Sequence, residues 1–261
     1  MFIAFALSDI LTRVVVGPIV HIRPGSRTRV LSAWSGVVSR TLVGLVEHVG
    51  RARFDVRAKI PARGGVLMVM NHQSVIDVPL AFTLVPSGYP RMVAHARYGK
   101  GVPLVSYMLS LYGHITVQPG RTGRAELDRL EETARESTLP IVIFPEGHRS
   151  RDGEIRPWKR AGLEAFLSAR EWTVYVVVLD GLWKVARIPD FIRHLAEVRC
   201  RVECAGPFTY DGRGRESHDE FVDHLHRVMC AKLSEMRGHS AAGTTPPAIA
   251  KESAASAVKT R

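Results

Sequence analysis

Residues 65–77 have the sequence GVLMVMNHQSVID, in which a short apolar run leads directly into a polar segment. Such a run predicts a buried strand that ends in a loop. The loop carries His72 and Asp77, five positions apart. An imidazole with one ring nitrogen held by a carboxylate can take a proton from a hydroxyl group with its other nitrogen. The segment therefore predicts a general base at the end of a strand.

The same residues also fit a purely structural interpretation. Ser74 is a favourable helix-capping residue, and Asp77 would then lie in the first turn of a helix over residues 75–83. His72 would be an ordinary loop residue. The short pattern alone does not separate the two interpretations, because such patterns recur by chance.

A second apolar run, residues 139–144, precedes a charged turn at residues 145–151. Gly147 suits a tight turn, and exposed backbone N–H groups beside arginines can bind a phosphate. The Glu146 carboxylate is expected to orient an arginine or to accept a hydrogen bond from a substrate hydroxyl. The alternative is a solvated basic turn in which Glu146 only pairs with Arg149.

Together, the two motifs resemble those of the 1-acylglycerol-3-phosphate acyltransferase family of glycerolipid synthesis. The family's first block, NHxSxxD, is matched by residues 71–77, and its third, FPEGxRS, by residues 144–150. An aromatic residue and a lysine follow the third block in the family, and Trp158 and Lys159 look like their counterparts. The resemblance covers residues 50–210.

The second block departs from the family pattern. The family has an arginine that helps to bind the acceptor's phosphate where this chain has Pro119, and Arg121 and Arg124 follow shortly after it. The phosphate contact is therefore expected to come from a shifted arginine.

The resemblance implies acyl transfer from a thioester, acyl-CoA or acyl carrier protein, to the free hydroxyl of a lysophospholipid. The expected acceptor is 1-acyl-sn-glycerol-3-phosphate. His72 would be the general base, and Asp77 would orient it. The expected substrate-binding residues are Glu146, Gly147, Arg149, Arg151, Arg121 and Lys159. No cofactor and no metal ion is expected.

Three alternatives remain open. The acceptor could be another lysolipid, or water could replace it, which would make the protein a lipid esterase. The protein could also be a peripheral module that only binds lipid headgroups, although such a module would not need His72 and Asp77 beside each other. A covalent acyl carrier at Ser74 is not favoured, because the chain has no G-x-S-x-G elbow.

The chain is strongly basic, with a formal net charge of +11 and an isoelectric point near 10.1. Residues 1–60 contain nine lysines and arginines against three acidic residues, a net of +6, beside the most apolar segment. This placement favours an anionic membrane surface as a partner. Nucleic acid is not expected, because no helix-turn-helix, RNP-like or zinc-finger pattern accompanies the charge.

The N-terminal residues predict a membrane-associated helical hairpin. Residues 2–20 are apolar except for two charges and a few small polar residues, and Gly17-Pro18 interrupts them. This favours an embedded or re-entrant helix over a full span. Residues 29–49 follow a helical period. They fit either a helix in the membrane interface or a helix that covers the core.

After residue 50, short apolar runs alternate with segments of helical period. This alternation predicts an α/β fold in which helices flank a mixed, mostly parallel sheet. Ligands bind beyond the carboxyl ends of the strands in such sheets, so both motifs are expected at one edge. The expected strands are 65–70, 91–95, 114–118, 139–144, 173–179 and 198–204, and the expected helices are 75–84, 103–112, 123–137, 155–169 and 187–196.

Three regions are expected: membrane-associated helices in residues 1–50, a catalytic domain in residues 51–237 and a disordered tail in residues 238–261. The three cysteines are an odd number without CxxC spacing, and the N-terminus does not resemble a secretory signal. Both observations predict a reducing compartment. The expected location is the cytoplasmic face of the inner membrane.

Overall fold

A computed structural model describes residues 2–102, 105–118, 123–211 and 218–238. The strands are β1 (Arg53–Val56), β2 (Val66–Met70), β3 (Arg91–His95), β4 (Ile115–Val117), β5 (Ile141–Ile143), β6 (Trp172–Asp180) and β7 (Arg199–Tyr210). They form one sheet with the order β1-β7-β6-β2-β5-β3-β4. The pairing of β6 with β7 is antiparallel, and the others are parallel. The predicted mixed, mostly parallel sheet is confirmed.

Helices cover both faces of the sheet. They are α1 (Phe2–Leu11), α2 (Gly17–Ile22), α3 (Arg27–His48), α4 (Asp77–Thr83), α5 (Val105–Leu111), α6 (Arg124–Glu136), α7 (Arg160–Ala169), α8 (Ile188–His194) and α9 (His218–Met236). A π-helical turn, Thr12–Val16, joins α1 to α2.

Strand β2 lies in the interior of the sheet, between β5 and β6, and its five residues are fully buried. Met68 and Met70 pack in one core cluster with residues of α3 and α4, and Leu67 and Val69 pack in another with residues of α6, α7 and α9. Because successive side chains of a strand point to opposite faces, both faces of β2 must be apolar. This explains the unbroken apolar run that opens the motif.

Strand β1 is not among the predicted strands. Its four residues, Arg-Phe-Asp-Val, show only partial burial, and among the described strands it pairs with β7 alone. An edge strand that is open to solvent needs no apolar run, so hydrophobic pattern does not reveal it.

The N-terminal helices form the predicted hairpin. The Trp34 indole N–H of α3 donates to the Thr12 hydroxyl at 2.8 Å, which ties the two arms together. Leu31 and Val46 of α3 are buried in the main core, so α3 covers the core, as one of its two interpretations predicts.

The first arm of the hairpin differs from α3 because most of its apolar side chains face outward. Residues Ile3–Ile22 form a 20-residue apolar helix that is long enough to cross a membrane. Of its most apolar 18-residue segment, only 22% is buried within the protein. Ile3 is 84% exposed and Ile22 is 77% exposed. An exposed apolar helix of this kind indicates membrane association.

The predicted domain boundaries stay a prediction. Helix α9 ends at Met236, and Gly238 follows it with a φ of +75°. The rest of the predicted tail, residues 239–261, lies outside the described residues.

Gly181, which directly follows β6, should be intolerant of a side chain. Its φ is +108°, and a Cβ atom there would overlap the carbonyl oxygen of Arg199. Gly181→Ala should therefore lower the free energy of unfolding by about 1–3 kcal/mol, measured by urea denaturation in detergent micelles.

Gly44→Ala is the matched control, because Gly44 lies inside α3 and a Cβ atom there would make only an ordinary contact with His48. It should raise the free energy of unfolding by up to about 1 kcal/mol. Equal effects of the two substitutions would contradict the assigned strain at Gly181.

Candidate active site

His72 lies in the loop that follows β2, and its ring is partly exposed. Its Nδ1 atom lies 2.7 Å from Asp77 Oδ2, and the side chains are 20% and 0% exposed. The imidazole stacks on the Phe144 ring with 4.4 Å between the ring centroids. Because the carboxylate accepts from Nδ1–H, the neutral ring keeps its lone pair on Nε2. No hydrogen bond joins Nε2 to another described residue, so it can accept a proton from a bound hydroxyl.

Asp77 Oδ2 organises the whole loop. Besides His72 Nδ1, it accepts the backbone N–H groups of Gln73 at 2.6 Å and Ser74 at 2.8 Å. Asp77 Oδ1 is buried without a hydrogen-bond partner among the described residues. An unsatisfied buried oxygen costs stability, and such costs are typical of functional sites.

The structural interpretation of Ser74 as a helix cap is wrong. Helix α4 begins at Asp77, and no side-chain cap bond is present at its start. The Ser74 hydroxyl instead donates to the carbonyl oxygen of Val185 at 2.9 Å. Ser74 thus joins the loop to the segment after β6 and is buried there.

Asn71 and Gln73 fix the same loop to the end of β6. The Asn71 side-chain amide both donates to and accepts from the Leu179 backbone, each at 2.8 Å. Gln73 Oε1 accepts the backbone N–H of Leu182 at 3.0 Å. Most polar side chains of the motif therefore bond to the backbone, whereas the His72 ring stays partly exposed.

The second motif joins the first through Glu146, which is buried. Its Oε1 accepts the backbone N–H of His72 and its Oε2 accepts that of Arg156, both at 2.9 Å. The backbone N–H of Ser150 donates to the His72 carbonyl at 2.7 Å. Burial raises the pKa of the Glu146 carboxyl group, and the two N–H donors oppose that shift. The expected contact of Glu146 with a substrate hydroxyl stays a prediction.

Gly147 makes the turn after β5 with a φ of +69°. The Lys159 side chain crosses this glycine, where a Cβ atom would lie 3.0 Å from its Nζ. Lys159 Nζ lies 3.5 Å from His148 Nδ1. The turn and the lysine are thus adjacent, as an anion-binding site requires.

The expected arginines lie in different places. Arg149 donates from Nη1 to the Ala186 carbonyl at 2.6 Å, so one side of its guanidinium is held by the segment after β6. Arg151 lines a separate cavity with that segment. Arg121, like Pro119, lies outside the described residues.

Two further loops, which the sequence motifs do not indicate, lie at the same edge of the sheet. Arg97 follows β3, stacks its guanidinium over the Tyr98 ring at 4.8 Å and donates to the Tyr98 hydroxyl. Trp183 and Lys184 follow β6. Since β3 and β6 run parallel to β5 and β2, these loops open at the same edge. Because ligands bind beyond the carboxyl ends of parallel strands, every loop at this edge is a candidate for ligand binding.

The described residues contain no group of three or more His, Cys, Asp and Glu side chains that could hold a metal ion. The expectation that the protein needs no metal or cofactor stays a prediction.

Comparisons with known proteins bear on this site. Residues 51–179 match the family model described as Acyltransferase. A 1-acyl-sn-glycerol-3-phosphate acyltransferase of Limnanthes douglasii is 24% identical over 89% of this chain and 81% of its own length. An enzyme of the same name from Helicobacter pylori is 24% identical over 63% of this chain and 72% of its own length.

A solved structure has the same fold. It is the 1-acyl-sn-glycerophosphate (LPA) acyltransferase PlsC from Thermotoga maritima, with a TM-score of 0.63 and 19% sequence identity. The likeness covers 93% of this chain and 96% of that one.

The fold and the two joined motifs define an acyltransferase. More narrowly, the relatives confirm the resemblance of its motifs to those of the 1-acylglycerol-3-phosphate O-acyltransferase family.

Glu146 should make the protein less stable as the pH rises. Its pKa is raised in the folded state, so folding favours the protonated form, and this contribution is lost as the pH rises above 4.5, the ordinary value of the group. Glu146→Gln cannot titrate. The unfolding free energy of the wild type, relative to that of the variant, should therefore fall through this range and then level off.

Glu132→Gln, at an exposed position of α6, is the control and should keep the wild-type pH profile. Urea denaturation at a series of pH values gives the free energy of unfolding of the wild type and of both variants. Parallel profiles for the wild type and Glu146→Gln would show that the Glu146 carboxylate is not desolvated.

Proposed function

We propose that this protein transfers a fatty acyl group from an acyl thioester to the free hydroxyl of 1-acyl-sn-glycerol-3-phosphate, which gives phosphatidate. The observation that carries the proposal is the His72–Asp77 pair, in which Nδ1 is held at 2.7 Å and the ring is partly exposed at the carboxyl edge of the sheet. The names of the relatives support the choice of acceptor.

In the proposed reaction, His72 Nε2 accepts the proton of the acceptor hydroxyl as the oxygen attacks the thioester carbonyl. Asp77 holds the ring tautomer and stabilises the imidazolium that forms. The tetrahedral intermediate then collapses, the C–S bond breaks, and the thiolate takes the proton from His72. The products are an ester and a free thiol, and the imidazole returns to its neutral form.

The acceptor's phosphate is assigned to the turn after β5. The Lys159 side chain lies against Gly147 and brings a positive charge to the turn. Arg149 adds a second cation, although part of its guanidinium is bound to the Ala186 carbonyl. Glu146 supports this assignment indirectly, because it fixes the turn to the His72 loop.

A membrane-bound acceptor suits the N-terminal hairpin. The exposed apolar face of residues Ile3–Ile22 would anchor the protein in the bilayer, and the basic residues that follow would contact anionic headgroups. We propose the cytoplasmic face of the inner membrane as the location, because acyl thioester donors are intracellular and the described cysteines are free thiols.

His72→Ala should abolish acyl transfer, because the acceptor hydroxyl loses its base. General-base catalysis contributes roughly 10²- to 10⁴-fold, so turnover should fall by at least that factor. Asp77→Asn should cause a similar loss, because it removes the negative charge that stabilises the imidazolium. Mass spectrometry of the phosphatidate formed from lysophosphatidate and acyl-CoA measures the turnover of both variants.

His48→Ala is the control, since His48 is exposed on α3 and, among the described residues, bonds only to the Gly44 carbonyl of its own helix. It should retain wild-type turnover. The mechanism is rejected if His72→Ala folds, binds vesicles and still transfers acyl groups at the wild-type rate. A wild-type protein that releases free fatty acid instead of phosphatidate would identify an esterase.

Lys159→Met should weaken acceptor binding, because it removes a charge beside Gly147. The KM for lysophosphatidate should rise about tenfold, the loss expected for one charge-assisted contact. With monoacylglycerol, which has no phosphate, wild type and variant should transfer at the same rate. Lys59→Met, at an exposed position between β1 and β2, is the charge-matched control. An equal loss with both acceptors would place Lys159 outside the phosphate site.

A further inference from the structure

A cavity opens beside the candidate active site. It has a volume of about 390 Å³, and its lining includes Arg151, Trp183, Lys184, Arg187, Asp190 and Glu197. Ligand sites usually have volumes of roughly 300 to 1,000 Å³, so this cavity can hold a small organic ligand. We call it the cationic cavity.

The cationic cavity is built from the segment that follows β6, and this segment is fixed to both motifs. Val185 accepts a hydrogen bond from the Ser74 hydroxyl at 2.9 Å, and Ala186 accepts one from Arg149 at 2.6 Å. A ligand in the cationic cavity would therefore lie next to the His72 loop and at the same edge of the sheet.

The cations of the cavity are available to a ligand. In the described part of the chain, no ion pair joins Arg151, Lys184 or Arg187 to a carboxylate. The two acids already have partners: Asp190 accepts the backbone N–H of Arg187 at 3.1 Å, and Glu197 lies 3.4 Å from a histidine. Three cationic side chains against two carboxylates leave the lining with an excess of positive charge, which suits an anion.

Trp183 gives the cationic cavity an aromatic wall. Its ring packs over Gly153, where a Cβ atom would lie 2.7 Å from the ring, and Lys184 Nζ lies 5.9 Å from the ring centroid. A half-exposed indole beside cations can stack on a nucleobase while the cations bind its phosphates.

We propose that the cationic cavity binds the phosphorylated nucleotide end of an acyl-CoA donor. The inference rests on the proposed acyl transfer and specifies its thioester. A nucleotide matches the cationic side chains, the aromatic ring and the small volume of the cavity. An acidic carrier protein fits less well, because the surface of a folded protein does not enter a cavity of this size.

Gly147 and Lys159, which are assigned to the acceptor phosphate, do not line the cationic cavity. The proposal thus gives the two phosphate-bearing substrates separate sites. Arg151, expected from sequence to bind the acceptor, is assigned to the donor by this geometry.

The test compares two donors that differ only in the nucleotide, palmitoyl-CoA and palmitoyl-pantetheine, in the double variant Lys184→Gln/Arg187→Gln of the full chain. With palmitoyl-CoA the KM should rise at least about tenfold at an unchanged kcat, since two charge-assisted contacts are lost. With palmitoyl-pantetheine, kcat/KM should equal that of the wild type. The control Arg193→Gln/Arg227→Gln removes two exposed charges outside the cavity and should change neither value.

A direct measurement separates this inference from the proposed function. Calorimetric titration with adenosine 3′,5′-bisphosphate should show binding to the wild type and a Kd at least about tenfold weaker in the double variant. Loss of activity with both donors alike, or a higher KM for lysophosphatidate alone, would overturn the inference. So would a KM increase confined to acyl carrier protein. If the wild type transfers no acyl group, the proposed function fails, and the titration alone decides whether the cavity binds a nucleotide.

Discussion

One buried oxygen atom, Asp77 Oδ2, determines the geometry of the site. It accepts the Nδ1–H of His72 and two backbone N–H groups, at distances between 2.6 and 2.8 Å. The backbone bonds fix the loop, and the side-chain bond fixes the imidazole tautomer. Because the carboxylate is fully buried, it cannot exchange these donors for water at low cost. The position of the His72 imidazole is thus set by a single local network.

Glu146 connects that network to the rest of the protein. Its two oxygen atoms accept N–H groups from loops that are 74 and 10 positions away in the chain. Burying this carboxyl group is unfavourable for its charged form, which is why its pKa is raised, and the two hydrogen bonds offset part of the cost. The segment after β6 completes the arrangement through Ser74 and Arg149. The site therefore depends on three loops that leave neighbouring parallel strands.

Much of the fold follows from local pattern. The unbroken apolar runs of β2 and β6 indicate strands covered on both faces, and the helical periods between the runs indicate the flanking helices. Helix α3 shows the limit of this reasoning, because an apolar face fits a membrane interface and a protein core equally well. Leu31 and Val46 are buried in the core, whereas Ile3 of the first arm is exposed. The hydrophobic pattern does not predict strand β1, because this strand lies at the edge of the sheet and has little apolar surface.

The sequence by itself determined the His72–Asp77 pair, because residues five positions apart in a loop that enters a helix can meet through local geometry alone. It also determined that Gly147 makes a turn next to cations. Only the tertiary structure decided that Glu146 bonds to the His72 backbone and that Ser74 reaches Val185 instead of capping a helix. Those contacts join residues 74 and 111 positions apart. The order and register of the parallel strands bring them together, and no local pattern encodes either.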